Sequence, residues 1–98
     1  MAFYTTKQPM EVFPVTIDFK IIQAGEAISN TTITTRNLDT GQDTTGIILS
    51  GTAEVQGTQV RQRIHGGAHG ETHRMQYRIN TTNGNLYEAE VDVAVLEE

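Results

Sequence analysis

The sequence predicts an all-β fold, and three observations lead to that prediction. Fifteen of the 98 residues are threonine, and valine and isoleucine are also frequent. Such β-branched side chains fit the pleated, half-buried surface of a strand. Proline occurs only at Pro9 and Pro14, while glycines recur between short apolar segments. Glycines in that arrangement are typical of turns between strands, and no apolar stripe of helical period is long enough for a helix.

Composition excludes several classes of function. A chain of 98 residues is close to the commonest size of a single domain. It contains no cysteine, which excludes disulfides, thiolate metal sites and cysteine nucleophiles. No apolar run approaches the roughly 20 residues that span a bilayer, and the first ten residues lack the apolar stretch of a signal peptide. The net charge of −5 argues against binding to nucleic acid or to an anionic membrane.

The start of the chain differs from the rest. Residues 1–10 are polar and unpatterned, and we interpret them as an extended N-terminal arm that precedes a folded domain at 11–98. Such a segment is either a frayed terminus or an arm that docks on a neighbouring subunit.

Pro14 cannot donate a ladder hydrogen bond, so it marks the first predicted strand as an edge strand. That strand, residues 12–20, places alternate apolar side chains on one face: Phe13, Val15, Ile17 and Phe19.

The middle of the chain is a series of short segments. A turn at residues 24–26 leads into a strand at residues 27–35. Ile28 is at an even position and Ile33 at an odd one, and alternate residues of a regular strand point to opposite faces. Either a bulge therefore lies between the two isoleucines or their side chains face different layers. Residues 38–46 are predicted to form a loop. Three short strands follow, with glycines between them: residues 46–50, 52–56 and 58–64.

The last two strands, on either side of residues 82–84, carry the clearest alternation of apolar and charged side chains. A two-residue Asn-Gly turn would set apolar Ile79 against charged Glu88, so parity excludes it. A three-residue loop with Gly84 in the left-handed conformation makes both faces of the hairpin consistent. It pairs Ile79 with Tyr87, Tyr77 with Ala89, Met75 with Val91, Arg78 with Glu88, and Arg74 with Asp92.

The strands together indicate an architecture. About seven antiparallel strands, each with one polar and one apolar face, suit two packed sheets. The sequence therefore predicts an immunoglobulin-like β-sandwich, with a small closed barrel as the alternative. In the last two strands the odd-numbered side chains would fill the interior while their charged neighbours stay in water.

Three histidines raise the question of a metal site. His65, His69 and His73 are four residues apart, a spacing that would place them on one face of a helix. Three glycines interrupt the same stretch, and each costs about 1 kcal/mol in a helix. We therefore predict a reversal of the chain at residues 66–70, with His73 facing the core and the other two histidines on the loop. A zinc site built from that loop is the alternative.

The carboxylates form no recognisable catalytic constellation. Glu88, Glu90 and Asp92 alternate along one strand opposite arginines, which explains them as a solvated face. Asp39 and Asp43 lie in the first long loop, but their spacing fits no calcium-binding template. The only two serines lie in no nucleophile-elbow context. We therefore expect no enzyme, no catalytic residue and no bound cofactor or metal.

Four short stretches occur in a characteristic order before a valine-rich last strand: Asp18-Phe19, Gly25-Glu26-Ala27-Ile28, Gly66-Gly67-x-x-Gly70 and Thr81-Thr82-Asn83-Gly84. This order resembles a family of small immunoglobulin-like structural proteins of tailed bacteriophages and prophages, described as fibre–tail adaptor proteins. The resemblance covers the chain from about Phe13 to Val95. The family tends to carry a tyrosine three residues after the last glycine of the GGxxG turn, where this chain has His73. If a corner hydrogen bond of that tyrosine anchors the loop, either the histidine replaces it or the anchor is missing.

The resemblance implies a non-enzymatic virion structural protein, assembled in the bacterial cytoplasm, that acts as an adaptor between neck, tail or fibre proteins. A capsid decoration (cement) protein, or a small binding module for a host-surface ligand, is the alternative. The implied partners are other virion proteins, with no nucleic acid and no membrane, and an oligomer in the assembled particle is compatible with this role. Edge-strand pairing or arm exchange would suit such an assembly.

Partner contacts are predicted where core patterning leaves residues unexplained. These places are the segment 1–10 and the loops at 38–46 and 65–71. The residues expected to make the contacts are Phe3, Tyr4, Asp39, Gln42, Asp43, His65 and His69.

Overall fold

The computed structural model describes residues 2–22 and 25–97. Within these residues the chain forms seven strands and one short helix. In chain order they are β1 (Ala2–Lys7), β2 (Phe13–Asp18), β3 (Ile28–Asn37), α1 (Thr45–Ile48), β4 (Leu49–Gln56), β5 (Gln59–Ile64), β6 (Thr72–Thr81) and β7 (Leu86–Val95). The turn predicted at residues 24–26 lies partly outside the described residues.

The strands form two separate sheets. One has the order β1-β7-β6-β3 and the other the order β2-β5-β4. β1 runs parallel to β7, with Ala2 opposite Glu90 and Lys7 opposite Val95, and every other described pair is antiparallel. The prediction of antiparallel strands throughout is therefore wrong for one pair, and the larger sheet is mixed. Local patterning could not reveal this pair, because it joins the two ends of the chain.

The core lies between the two sheets. Met75, Tyr77 and Ile79 of β6 are fully buried and pack with side chains of the smaller sheet, among them Val60 and Ile64. Each such side chain contributes about 1.5–3 kcal/mol by leaving water. The fold is thus sandwich-like, and the closed barrel considered as an alternative does not form among the described strands.

One hydrogen bond crosses the core. The Tyr77 hydroxyl donates to the backbone carbonyl of Val15 in β2 at 2.9 Å. Burial raises the pKa of the Tyr77 phenol, so the hydroxyl keeps its proton and remains a donor. The bond fixes the position of the edge strand β2 over the larger sheet.

The β6–β7 hairpin has the predicted register. Ile79 lies opposite Tyr87 and Met75 opposite Val91, and the other predicted pairs are present as well. The Thr81 N–H donates to the Asn85 carbonyl at 2.9 Å, which closes the loop around residues 82–84. Gly84 has a φ of 80°, the left-handed conformation that this loop requires.

Two further details of the strands were predicted. The register of β3 shifts between Ile28 and Asn30, so of the two alternatives left open by the positions of its isoleucines the structure shows the bulge. Pro14 lies in β2, at the edge of the smaller sheet, as its missing N–H requires.

The segment at residues 46–50 is not the strand that was predicted. Its first part belongs to α1, where the Thr44 carbonyl accepts hydrogen bonds from the N–H groups of Ile47 and Ile48 at 2.9 Å each. Leu49 then begins β4, which continues through the predicted break at Gly51 with an irregular register. A five-residue apolar run is too short for its period to separate helix from strand. The four residues of α1 are far fewer than the roughly 20 that a membrane-spanning helix requires.

Candidate partner-binding surface

Most of the predicted contact residues lie at one end of the sandwich, which we call the loop end. β1, β3 and β7 finish there and β6 begins there, as the pairs Asn37–His73 and Lys7–Val95 show. In the smaller sheet, Ile64 at the end of β5 faces the first residues of β2 and β4. The loop end comprises residues 8–12, 38–48, 65–71 and 96–97.

The structure brings five of the seven predicted contact residues to the loop end. Asp39, Gln42, Asp43 and His69 are exposed there, and His65 is half-buried. The remaining two, Phe3 and Tyr4, lie in β1 along the edge of the larger sheet and outside the loop end. The predicted contact set therefore divides into two surfaces.

A hydrogen-bonded network around His73 joins the two long loops. The imidazole is 2 % exposed, and its Nε2 lies 3.0 Å from Glu71 Oε1. Since an ionised carboxylate only accepts, Nε2 carries the proton and donates. Nδ1 lies 3.0 Å from the Thr44 hydroxyl, and that hydroxyl lies 2.9 Å from the hydroxyl of Thr35. His73 thereby connects the loop at 65–71 to the start of α1.

Glu71 extends this network to the backbone. Its carboxylate accepts from the N–H of Ala68 at 2.7 Å and from the side-chain amide of Asn37 at 3.5 Å. The hydrogen bonds from the Ala68 N–H and from His73 lower the pKa of Glu71. His73 therefore anchors the loop at 65–71 through Glu71 and contacts Thr44 through its other ring nitrogen.

The loop at 38–46 is held by its own polar side chains. Asn37 Oδ1 accepts from the N–H groups of Asp39 and Thr40 at 2.8 and 3.3 Å. The Asp43 carboxylate accepts from the N–H of Thr45 at 2.9 Å, and this bond lowers the pKa of Asp43. Asp43 thus fixes the start of α1, whereas Asp39 leaves its carboxylate exposed.

The glycine pair of the loop at 65–71 packs closely against neighbouring elements. Gly67 has a φ of 89°, and a Cβ added there would lie only 2.9 Å from Val95 Cγ2. The N–H of Gly70 donates to the Val95 carbonyl at 2.8 Å, and the N–H of Val95 donates to the Glu71 carbonyl at the same distance. The loop is therefore attached to the end of β7 and is not a free connection.

Lys7, the last residue of β1, supports the loop end in a way that sequence reasoning missed. Its side chain is buried, and the ammonium donates to the carbonyls of Gln8, Pro9 and Gly66 at 2.8, 3.1 and 2.8 Å. Burial lowers the pKa of Lys7, and the nearby Glu11 carboxylate opposes that shift. The sequence carried no signal for this role, because a lysine at the end of an edge strand ordinarily points into water.

The opposite end of the molecule brings together two of the stretches that carry the family resemblance. Buried Glu26 accepts from the Thr81 hydroxyl and the Asn85 amide, both at 2.7 Å. Ala27 exchanges hydrogen bonds with Thr82 at 2.8 and 3.1 Å. The motif residues at this end therefore hold the β6–β7 loop against the start of β3.

The histidines and the acidic strand take part in hydrogen bonds and ion pairs. His69 Nδ1 accepts from the Glu97 N–H at 2.9 Å, and in residues 2–22 and 25–97 no three metal-ligating side chains stand close together. Arg78 pairs with Glu88 at 2.9 Å and Arg74 pairs with Asp92 at 2.8 Å, as predicted. The geometry of these side chains suits contacts and anchoring.

The comparison with protein families gives one result. The family model described as "Podophage GP4 fiber-tail adaptor protein gp77" matches residues 7–94, nearly the whole chain. No curated protein matches the sequence. The chain therefore belongs to the podophage fibre–tail adaptor family, whose members are non-enzymatic structural proteins of the phage tail.

Proposed function

We propose that the loop end is the surface through which this adaptor contacts neck, tail or fibre proteins of the virion. The observation that carries the proposal is the combination of exposed apolar side chains with a rigid support. Met10, Val12, Ile47 and Leu96 are exposed at this end. Exposed apolar groups gathered at one place mark interaction sites more often than single ones do.

The hydrogen bonds that hold the loops of the loop end together favour binding of a partner. The His73–Glu71 network and the Lys7 ammonium fix the loops to one another before any partner arrives. Association with a preorganised surface loses less conformational entropy than association with mobile loops. Protein partners are favoured over nucleic acid or membrane, because the net charge of −5 repels both phosphate-rich surfaces.

We propose further that the sandwich is immunoglobulin-like. The order β2-β5-β4 corresponds to strands B, E and D of such domains, and β7-β6-β3 corresponds to G, F and C. We propose that residues 1–10 act as an N-terminal arm and that residues 11–98 form the sandwich domain. Because residues 2–7 pair with β7, the arm would act from the edge of the sheet and not as a free tail.

The proposal is tested by a pair of charge substitutions at equally exposed positions. Ile47 in the loop end and Leu86 at the opposite end are both 56 % exposed. Ile47→Glu should lower the amount of protein incorporated into phage particles by about tenfold or more, since a buried contact would receive an unpaired charge. Leu86→Glu is the matched control and should be incorporated normally.

The measurement is the copy number of each variant in purified particles, with thermal unfolding of the free protein to confirm that both variants fold. Normal incorporation of the folded Ile47→Glu variant would overturn the proposal, as would an equal loss for both variants. Deleting residues 1–10 is a poorer test, because it removes a strand of the larger sheet.

A further inference from the structure

The two sheets leave four edge strands, and three of them are protected against pairing with another chain. β2 carries Pro14, and its Val15 carbonyl already accepts from Tyr77. β4 is interrupted by the irregular register between Ser50 and Glu54. Prolines, bulges and covering loops are the ordinary means by which proteins prevent unwanted strand pairing.

β3 is protected along both halves. In its second half the Thr35 carbonyl accepts from the Thr44 N–H at 3.0 Å, and the Asn37 N–H donates to the Gln42 carbonyl at 2.9 Å. In its first half the register shift after Ile28 distorts the edge. The loop at 38–46 therefore covers much of this strand.

β1 has none of these protections among the described residues. It contains no proline, and its six residues pair with β7 without a register shift. Its one charged side chain, Lys7, does not guard the edge, since the ammonium is turned inward to backbone carbonyls. Its outer edge therefore offers a regular row of backbone groups.

An apolar groove lies beside this edge, between β1 and β2. Its volume is about 470 Å³, and it is lined mainly by apolar side chains that include Phe3, Val15, Ile17, Ile21 and Val91. Phe3 is 47 % exposed and Ile21 is 60 % exposed. A strand added to β1 would direct every second side chain into this groove.

On the opposite face of that edge the negative charge lies nearest the free edge, on β7, and the arginines lie farther in, on β6 and β3. On β7 three carboxylates, those of Glu88, Glu90 and Asp92, alternate opposite two arginines of β6. Arg74 lies 2.8 Å from Asp92 but 3.4 Å from Glu90, so Glu90 is the less completely paired acid. Glu90 is also the residue opposite Ala2 in the register of β1 and β7, so it lies one strand in from the free edge and within reach of a long cationic side chain on a strand added there.

We propose that the free edge of β1 accepts an extended strand from a partner virion protein, with apolar side chains facing the groove and lysine or arginine facing Glu90. This inference rests on the adaptor role proposed above and names the chemistry of a second partner site. The backbone hydrogen bonds along β1 would give affinity, and the groove and Glu90 would select the alternating apolar and basic pattern.

The test uses the full chain, labelled with ¹⁵N, and three end-blocked octapeptides of alternating composition. The valine–lysine peptide should bind, with amide shifts concentrated in β1 and around Ile21. The valine–glutamate peptide has the wrong charge, and the serine–lysine peptide lacks the apolar face, so both should bind at least about tenfold more weakly.

Substitutions then assign the site. Phe3→Ser and, independently, Ile21→Ser should each weaken the valine–lysine peptide by about tenfold, because each removes apolar surface from the groove. Glu90→Gln should weaken it by about twofold to fivefold. Glu88→Gln is the matched control, since Glu88 faces Arg78, and it should leave the affinity unchanged.

Several results would overturn the inference. These are no binding of the valine–lysine peptide, equal binding of the glutamate or serine peptides, shifts outside β1 and the groove, or a dimer of the protein that pairs through β1. Failure here is distinguishable from failure of the proposed function, because the particle test depends on Ile47 at the loop end and not on β1.

Discussion

Glu71 shows how one side chain can set the geometry of a surface. Its carboxylate accepts from the Ala68 N–H and from His73, which connects the turn of one loop to a buried residue of β6. Both hydrogen bonds favour the charged form and lower the pKa of Glu71 below its ordinary value of 4.5. The ionised carboxylate is therefore linked to the stability of the loop end.

This linkage predicts a pH dependence. A carboxylate whose pKa is lowered by folding contributes stability above pH 4.5, and that contribution is lost as the pH falls through the lowered value. Glu71→Gln should cost about 1 kcal/mol at neutral pH. The difference between the wild type and the variant should shrink below pH 4.5, as measured by urea unfolding at a series of pH values.

Glu54→Gln, on the exposed face of β4, is the control for a general effect of removing one negative charge. If both variants lose the same stability at every pH, the hydrogen bonds of Glu71 are not the cause.

At the scale of elements, the connection between β5 and β6 passes from one sheet to the other through the glycine turn. Gly67 sits in the left-handed region and against Val95, whereas Gly70 has a similar φ of 90° with open space around it. Substituting alanine at Gly70 therefore tests backbone strain alone, whereas substituting alanine at Gly67 tests backbone strain together with a collision with Val95.

Gly70→Ala should cost about 1–2 kcal/mol, because alanine is strained at that φ. Gly67→Ala should cost at least about 1 kcal/mol more, since its methyl group also meets Val95. Chemical denaturation of both variants measures the difference. Equal losses would show that the end of β7 moves aside and that the close packing is unimportant.

The elements also show what sequence reasoning could and could not reach. The β6–β7 hairpin was predictable to the residue pair, because Ile79, Tyr87 and the facing charges agree in only one register. α1 was missed, since the run around Ile47 is too short to show a period. The pairing of β1 with β7 was missed because it depends on contact between distant parts of the chain.

The candidate surface was predictable only where local strand alternation determines which way a side chain points. His73 was assigned to the core from strand parity, which the structure confirms. The roles of Lys7 and Glu26 could not be deduced, because their partners are backbone carbonyls and side chains brought together by the fold. Only three-dimensional neighbours distinguish a buried charged residue from a solvated one.

At the scale of the whole molecule, both sheets share one thin core, so we expect a single cooperative unfolding transition. Met75 is fully buried between the sheets. Met75→Ala should cost about 2–5 kcal/mol, a large part of the roughly 5–15 kcal/mol available to a domain of this size.

Urea unfolding followed by far-ultraviolet circular dichroism and by tyrosine fluorescence should give coincident curves for the wild type and for Met75→Ala. Val55→Ala, at an exposed position of β4, should cost less than about 1 kcal/mol. Two separate transitions would show that the sheets are independent units.

The parallel pairing of β1 with β7 has a mechanical consequence for a component of a phage tail. β1 begins opposite Glu90, about midway along β7, and runs parallel to it as far as the loop end, where β7 finishes, so that six residue pairs join the two strands. Tension applied between the start of β1 and the end of β7 would shear the strands lengthwise, so that their hydrogen bonds share the load instead of opening one after another. An adaptor pulled between a fibre and a tail would thus resist extension along the direction in which its first and last strands lie side by side.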